Sequence, residues 1–310
     1  MKLRASLLML AVVAVWGATF VVVKAALADA TPAAFNLVRM TLAFAVLAVA
    51  YHRYWRTINR RQIAYGAVVG LCLAFGYQFQ TIGLVRTTPS KSAFITGLLV
   101  VLVPFFSAIR WLRPPGAHAP RWNAFAGAFL AFVGILLLTV PAEAHSSGSL
   151  LLGLLPDLAT INLGDLLTLG CAVGFALHCI ALAHASPKVD FRPLAMLQVG
   201  FCALFMALSL PLVEHPQIHW SARLITALLV AAVLATSAAF SVQSWVQSVL
   251  PPTHTALLLT MEPVFAWMTS FLVLGERLGV RPACGAGLIL VGILLTEMVS
   301  APHTPSAHEA

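Results

Sequence analysis

Ten stretches of about 20 apolar residues, separated by short clusters of charge, proline or turn residues, set the strongest limit on what this 310-residue chain can become. They fall at about 6–26, 33–51, 63–85, 91–111 and 122–140, then at about 165–185, 193–213, 223–246, 253–274 and 282–299. A run of that length matches the hydrocarbon core of a bilayer as an α-helix, because lipid offers no partner for an unpaired peptide group. Composition agrees, with 60% of residues hydrophobic and only 9% charged, where a soluble domain carries about a quarter. The expected fold class is an all-α integral membrane protein of ten transmembrane helices, with no length left for a soluble catalytic domain.

The net charge of +8 reflects 18 Lys and Arg against 10 Asp and Glu. These cations are scattered at span ends and form no solvated basic domain, so the expected partners are the lipid bilayer and a small-molecule substrate, not nucleic acid. With the N-terminus inside, Lys and Arg near the span ends number eleven inside and five outside, which predicts cytoplasmic termini. Lys2 and Arg4 before an apolar run resemble a signal peptide, but Lys24 within the run and nine further spans argue for a retained helix. Cys72, Cys171, Cys179, Cys202 and Cys284 lie in apolar runs at irregular spacing, which fits neither a disulfide framework nor a metal site. No cofactor is expected.

The two halves match weakly but in order. Gly134-Ile135-Leu136-Leu137-Leu138 near the end of the fifth run recurs as Gly292-Ile293-Leu294-Leu295-Thr296 near the end of the tenth. Pro104 has a counterpart in Pro263, and aligning the third run with the eighth pairs Gln80 with Gln243 and Ala93 with Ala256. That alignment leaves about one helical turn of difference before the prolines. Five spans per unit is odd, so the second copy enters the membrane upside down. The expected architecture is two inverted five-helix repeats, 1–140 and 165–299, joined by an external linker at 141–164 and followed by a disordered cytoplasmic tail at 300–310. Such repeats enclose a substrate site near the bilayer midplane and expose it alternately to either side.

Trp16-Gly17-Ala18-Thr19-Phe20 followed by Lys24, and then Asn36-Leu37-Val38-Arg39, resembles the opening of EamA-type members of the drug/metabolite transporter superfamily. Gln80 to Pro104 and Glu262 to Leu278 are similar to that family's two most recognisable segments. The resemblance spans about residues 6–299. It implies a ten-helix permease of the bacterial inner membrane, usually an exporter of amino acids or other small metabolites. Multidrug or toxic-compound efflux, or a passive metabolite channel of the same fold, is the alternative. One departure stands out: Gly275-Glu276 after the ninth span has no equivalent after the fourth, where Arg113-Pro114-Pro115-Gly116 stands instead.

Glu262 is the one carboxylate deep in a span, a placement that costs about 2.5–3.5 kcal/mol on insertion scales. It either binds and releases a proton, or pairs with a cationic substrate, or bonds a neighbouring helix in its protonated form. Pro104 and Pro263 each remove one backbone hydrogen bond in mid-span, which makes either a hinge beside the cavity or a static kink. Trp16 and Thr19 share one face of the first helix, and the indole N–H needs an acceptor there. Gln80, Gln243 and Tyr77 either line the pathway or bond across helices. Arg39 is placed to hold a substrate carboxylate, Lys24 to snorkel, Asp165 to cap a helix, and His178 to carry protons or sit as a satisfied buried group. Gly66xxxGly70 and Gly170xxxGly174 allow close helix approach and bear only weakly on a homodimer.

An enzyme is not expected: the chain holds no HExxH, no phosphate-binding GxxxxGK[ST] and no intramembrane carboxylate pair. A channel reading lacks a charged ring or a filter-like loop.

Overall fold

The computed structural model describes residues 2–113, 121–139, 162–250 and 258–298. Among them the regular structure is helical, apart from an isolated bridge pairing Ala30 with Ile218. The helices are α1 (Lys2–Ala26), α2 (Pro32–Ala50), α3 (Arg60–Leu84), α4 (Pro89–Thr96), α5 (Leu99–Ala108) and α6 (Trp122–Thr139). They continue as α7 (Leu163–Ala185), α8 (Phe191–Val213), α9 (Ala222–Leu229), a π-helical segment (Val230–Ala238), α10 (Ala239–Val249), α11 (Glu262–Leu274) and α12 (Val280–Met298). Counting α4 with α5, and α9 with the segments that follow it, seven described rods are long and apolar enough to cross a membrane; α6, α11 and α12 contribute shorter apolar stretches. The expected tail and almost all of the expected linker lie outside the described residues, and α7 begins at Leu163, slightly ahead of its predicted start.

Polar residues at the boundaries set the helix starts. Asn59 and Gln62 form a reciprocal capping box that satisfies two orphan backbone donors at the start of α3. Thr88 caps α4, with Pro89 in the first turn where a missing N–H costs nothing. Asn162 caps α7 by accepting from the Gly164 N–H, so Asp165 is not the cap that the sequence suggested. Instead the Thr87 hydroxyl donates to Asp165, and Lys91 lies 3.9 Å away. α11 ends on Gly275 at φ +67°, a left-handed turn that a residue with Cβ adopts only under strain.

Burial is distributed as a bilayer demands. Leu212, Val280 and Trp111 face outward at 89%, 84% and 79% exposure, while Gln198, Ser90 and Thr168 are fully enclosed. With lipid outside, no hydrophobic force drives helices together, and small residues that permit backbone contact take over. α6 packs on α12 in this way: a Cβ on Gly285 would stand 2.5 Å from the Gly134 carbonyl oxygen, and one on Gly292 would stand 2.4 Å from that of Gly127. Gly66 and Gly70 abut Leu197 and the Gln198 carbonyl of α8, while Gly170 and Gly174 abut Phe79 and Gly76 of α3. Both small-residue motifs are thus used within the chain. Gly285→Ala is expected to destabilise the α6–α12 pair by about 1–3 kcal/mol, since backbone must move to admit the methyl. A lowered thermal midpoint in detergent checks this, and an unchanged one shows that the pair can part freely.

Candidate functional site

Helical backbone gives way to a turn at two places. α4 gives way to α5 through a turn at Gly97–Leu98, and a turn at Thr260–Met261 precedes α11. The interruptions share the 163-residue offset that pairs Gln80 with Gln243. The expected break at Pro104 is displaced: Pro104 lies within α5, and the chain yields seven residues earlier, at the glycine. Pro263 occupies the first turn of α11, where its absent N–H is tolerated, and its ring lies 3.1 Å from the position a Cβ on Gly97 would take. Gly97 therefore lets the two interrupted rods touch.

Beside these interruptions a cavity of about 720 Å³, open solvent at its mouth included, is lined by residues of α1, α2, α3, α7 and α10 and by both broken rods. Trp16, Thr19, Arg39, Tyr77, Gln80, His178, Gln243 and Glu262 all line it. Pro104 and Pro263 do not; they flank the interruptions.

One wall is aromatic. Trp16 lies 5.8 Å from Phe240, and Tyr77 meets Phe175 edge-on at 5.1 Å and Phe240 at 6.5 Å. The Trp16 indole donates to the Ala235 carbonyl at 2.8 Å, within the π-helical segment. Thr19 donates to the Trp16 carbonyl at 2.6 Å. The π segment is a feature that the sequence Val230 to Ala238 does not announce, since it holds neither Gly nor Pro.

Two ionisable side chains face this wall. Arg39 is 3% exposed; its Nε donates to Thr236 at 3.0 Å, its Nη2 donates to the Tyr77 hydroxyl at 3.2 Å, and its guanidinium lies over the Tyr77 ring. No carboxylate pairs with it among the described residues. Glu262, at the first residue of α11, has no cationic partner among them either, and the helix N-terminus favours its negative charge. The cavity thus holds one fixed cation and one carboxylate, each free to meet a ligand.

The remaining polar groups divide into paired and unpaired. His178 Nε2 lies 2.9 Å from the side-chain amide of Gln198. Gln80 donates to Thr96 at a long 3.4 Å. The Gln243 carbonyl oxygen is buried without a hydrogen-bond partner, an open acceptor on the cavity wall. Sequence reasoning passed over Thr96, Leu99, Phe175, Cys179 and Phe240, all of which line the space. The repeat offset held the signal for two of them, pairing Tyr77 with Phe240 and Glu262 with Leu99.

The end of the bundle that carries Asp29 is tied by polar contacts. The Asp29 carboxylate accepts from Arg223 at 2.8 Å twice and from Ser221 at 2.6 Å; the guanidinium, foremost, holds its pKa down at about 2, so the tie stays charged at any physiological pH. Lys24 does more than snorkel: its ammonium donates to the carbonyls of Leu84, Val85 and Thr87 at 2.6, 2.9 and 3.0 Å, capping the end of α3.

Interrupted helices around a polar cavity within a helical membrane bundle are the architecture of membrane transporters. The chain belongs to the EamA-like transporter family of the drug/metabolite transporter superfamily, whose family model matches residues 3–140 and again 162–298. A protein of Archaeoglobus fulgidus named an uncharacterized transporter is 31% identical over 297 residues, covering 96% of this chain and 87% of its own. A solved crystal structure, described simply as that of a protein, superposes with a TM-score of 0.64 over 96% of this chain and 98% of its own; at 17% identity it shows the fold alone.

Proposed function

We propose that this protein is a secondary transporter of the bacterial inner membrane that exports small organic metabolites of the amino-acid type by alternating access. Ten spans, arranged as two inverted five-helix repeats over 1–140 and 165–299, would place both termini in the cytoplasm and the Asp29 end outside. The observation that carries the reading is the single cavity holding an unpaired Arg39 and an unpaired Glu262 beside an aromatic wall. A zwitterion with an apolar or aromatic side chain complements all three: its carboxylate meets the guanidinium, its ammonium the carboxylate, and its side chain the rings.

The pairing of elements supports the inverted arrangement. α1 packs on α11 as α7 packs on α4 and α5, α3 on α7 as α10 on α1, and α6 on α12, so each contact recurs when the halves are exchanged. Tyr77 with Phe240, Gln80 with Gln243, and Leu99 with Glu262 keep the same offset around the cavity. The last pair is unlike, which restricts the carboxylate to one half.

The test is an untargeted comparison of metabolites inside and outside cells overexpressing the protein, followed by flux of the compounds found in vesicles. Saturable flux with counterflow is expected, and linear flux without counterflow would instead mean a channel. Trp16→Ala removes both a ring and the bond to Ala235, and is expected to lower saturable flux by about tenfold while expression stays intact. Unaltered flux would take Trp16 out of the binding wall.

A further inference from the structure

Glu276 lies outside the central cavity and belongs to the half that alone carries the Gly275-Glu276 pair. Its Oε2 accepts a hydrogen bond from Ser90 of α4 at 2.8 Å and another from Ser270 of α11. One carboxylate oxygen thus clasps the two interrupted rods together, at the same end of the bundle as Asp29.

A second cavity, of about 770 Å³ with its open solvent, opens at that end, lined by Lys24, Arg86, Lys91, Asn162, Leu274 and Glu276 among others. Its wall adjoins that of the central cavity at consecutive residues. Val23 lines the central space and Lys24 the outer one; Leu84 lines the central space and Val85 the outer one. Along α1 and α3, therefore, consecutive residues form the barrier between the two spaces. α4 and α11 stand beside this barrier, and each ends a helical segment at its interruption, so each can swing as a short rigid piece.

We infer that Glu276 is the latch of the gate between the outer vestibule and the central cavity, holding α4 to α11 while the pathway is closed at this end. The inference rests on the transport reading above. Opening toward the vestibule requires Ser90 to leave the carboxylate, while the Ser270 bond, within the same helix and its cap, stays. The latch is one-sided, since Arg113 and its neighbours replace this pair in the first half.

Native Cys179 lines the central cavity and serves as the reporter. In a chain carrying Cys72→Ser and Cys284→Ser, a membrane-impermeant methanethiosulfonate reagent is applied to one face of sealed vesicles at a time, and labelled Cys179 is measured by mass spectrometry. Glu276→Ala and Ser90→Ala are each expected to raise labelling from the Glu276 face by about tenfold and to lower it from the opposite face, as loss of a charge-assisted bond shifts the balance of two states. Glu276→Gln, which keeps an acceptor oxygen, is expected to fall between. Ser90→Ala separates the latch from a simple helix cap, because it leaves the Ser270 bond intact and removes only one oxygen should Glu276→Ala fail to fold. If Ser90→Ala labels as the parent does from both faces, the latch is overturned while the transporter reading stands.

Discussion

Vesicles containing Glu262→Gln are expected to show no proton-driven accumulation above protein-free vesicles, while exchange of substrate across the membrane persists. The substitution keeps the shape and hydrogen-bonding reach of the side chain and removes only its capacity to gain and lose a proton. That capacity matters because Glu262 has no cation beside it among the described residues, so its charge must be balanced by the helix N-terminus, by a ligand or by a proton. A proton and an ammonium group then compete for one carboxylate, which is the simplest way for a fixed cavity to couple two fluxes. Measurement of uptake with and without an imposed pH gradient decides the point. Gradient-driven accumulation unchanged in Glu262→Gln removes the residue from coupling, and loss of exchange together with accumulation would show that its charge is indispensable for holding the substrate ammonium.

The second large effect is expected at Arg39. Arg39→Met should weaken binding of a carboxylate-bearing substrate by about 10- to 100-fold, the worth of one charge-assisted hydrogen bond in a partly dry site. The fold should survive the change. Thr236 donates to the Ala231 carbonyl at 2.7 Å and uses Arg39 only as a donor to its spare lone pair, so no amide or hydroxyl proton of Thr236 is stranded. Arg39→Lys is not expected to restore affinity, because an ammonium cannot lie flat on the Tyr77 ring and donate sideways at once. Concentration dependence of flux for the substrate found in cells checks this, and a half-saturation value within twofold of the parent would overturn it. A methyl ester of the same compound, which keeps the ammonium but lacks the carboxylate charge, should not discriminate between parent and variant.

The membrane class, the helical character of the apolar runs and the eight residues that line the cavity were legible in the sequence for one reason. In lipid a polar side chain is costly, so each of Trp16, Arg39, Gln80, His178, Gln243 and Glu262 stands out against an apolar background and has few places to go except inward. Apolar lining residues such as Leu99 and Phe175 carry no such mark, because the same side chains serve equally well against lipid. The two prolines illustrate the limit. A proline announces a missing hydrogen bond but not whether the helix yields there, and the rods yield at Gly97–Leu98 and Thr260–Met261.

What the sequence determined alone was which segments must be helical, since an unpaired peptide group in hydrocarbon costs several kcal/mol whatever the neighbours are. What the tertiary structure decided was which groups meet. The Ala235 carbonyl accepts from Trp16 because α1 lies against the π segment, and Lys24 caps α3 because the two helix ends arrive together. Glu276 joins α4 to α11 across 186 residues of chain. Such meetings depend on how close two helices can approach, which is set by glycines acting in pairs across the bundle, and no single stretch of sequence records its partner.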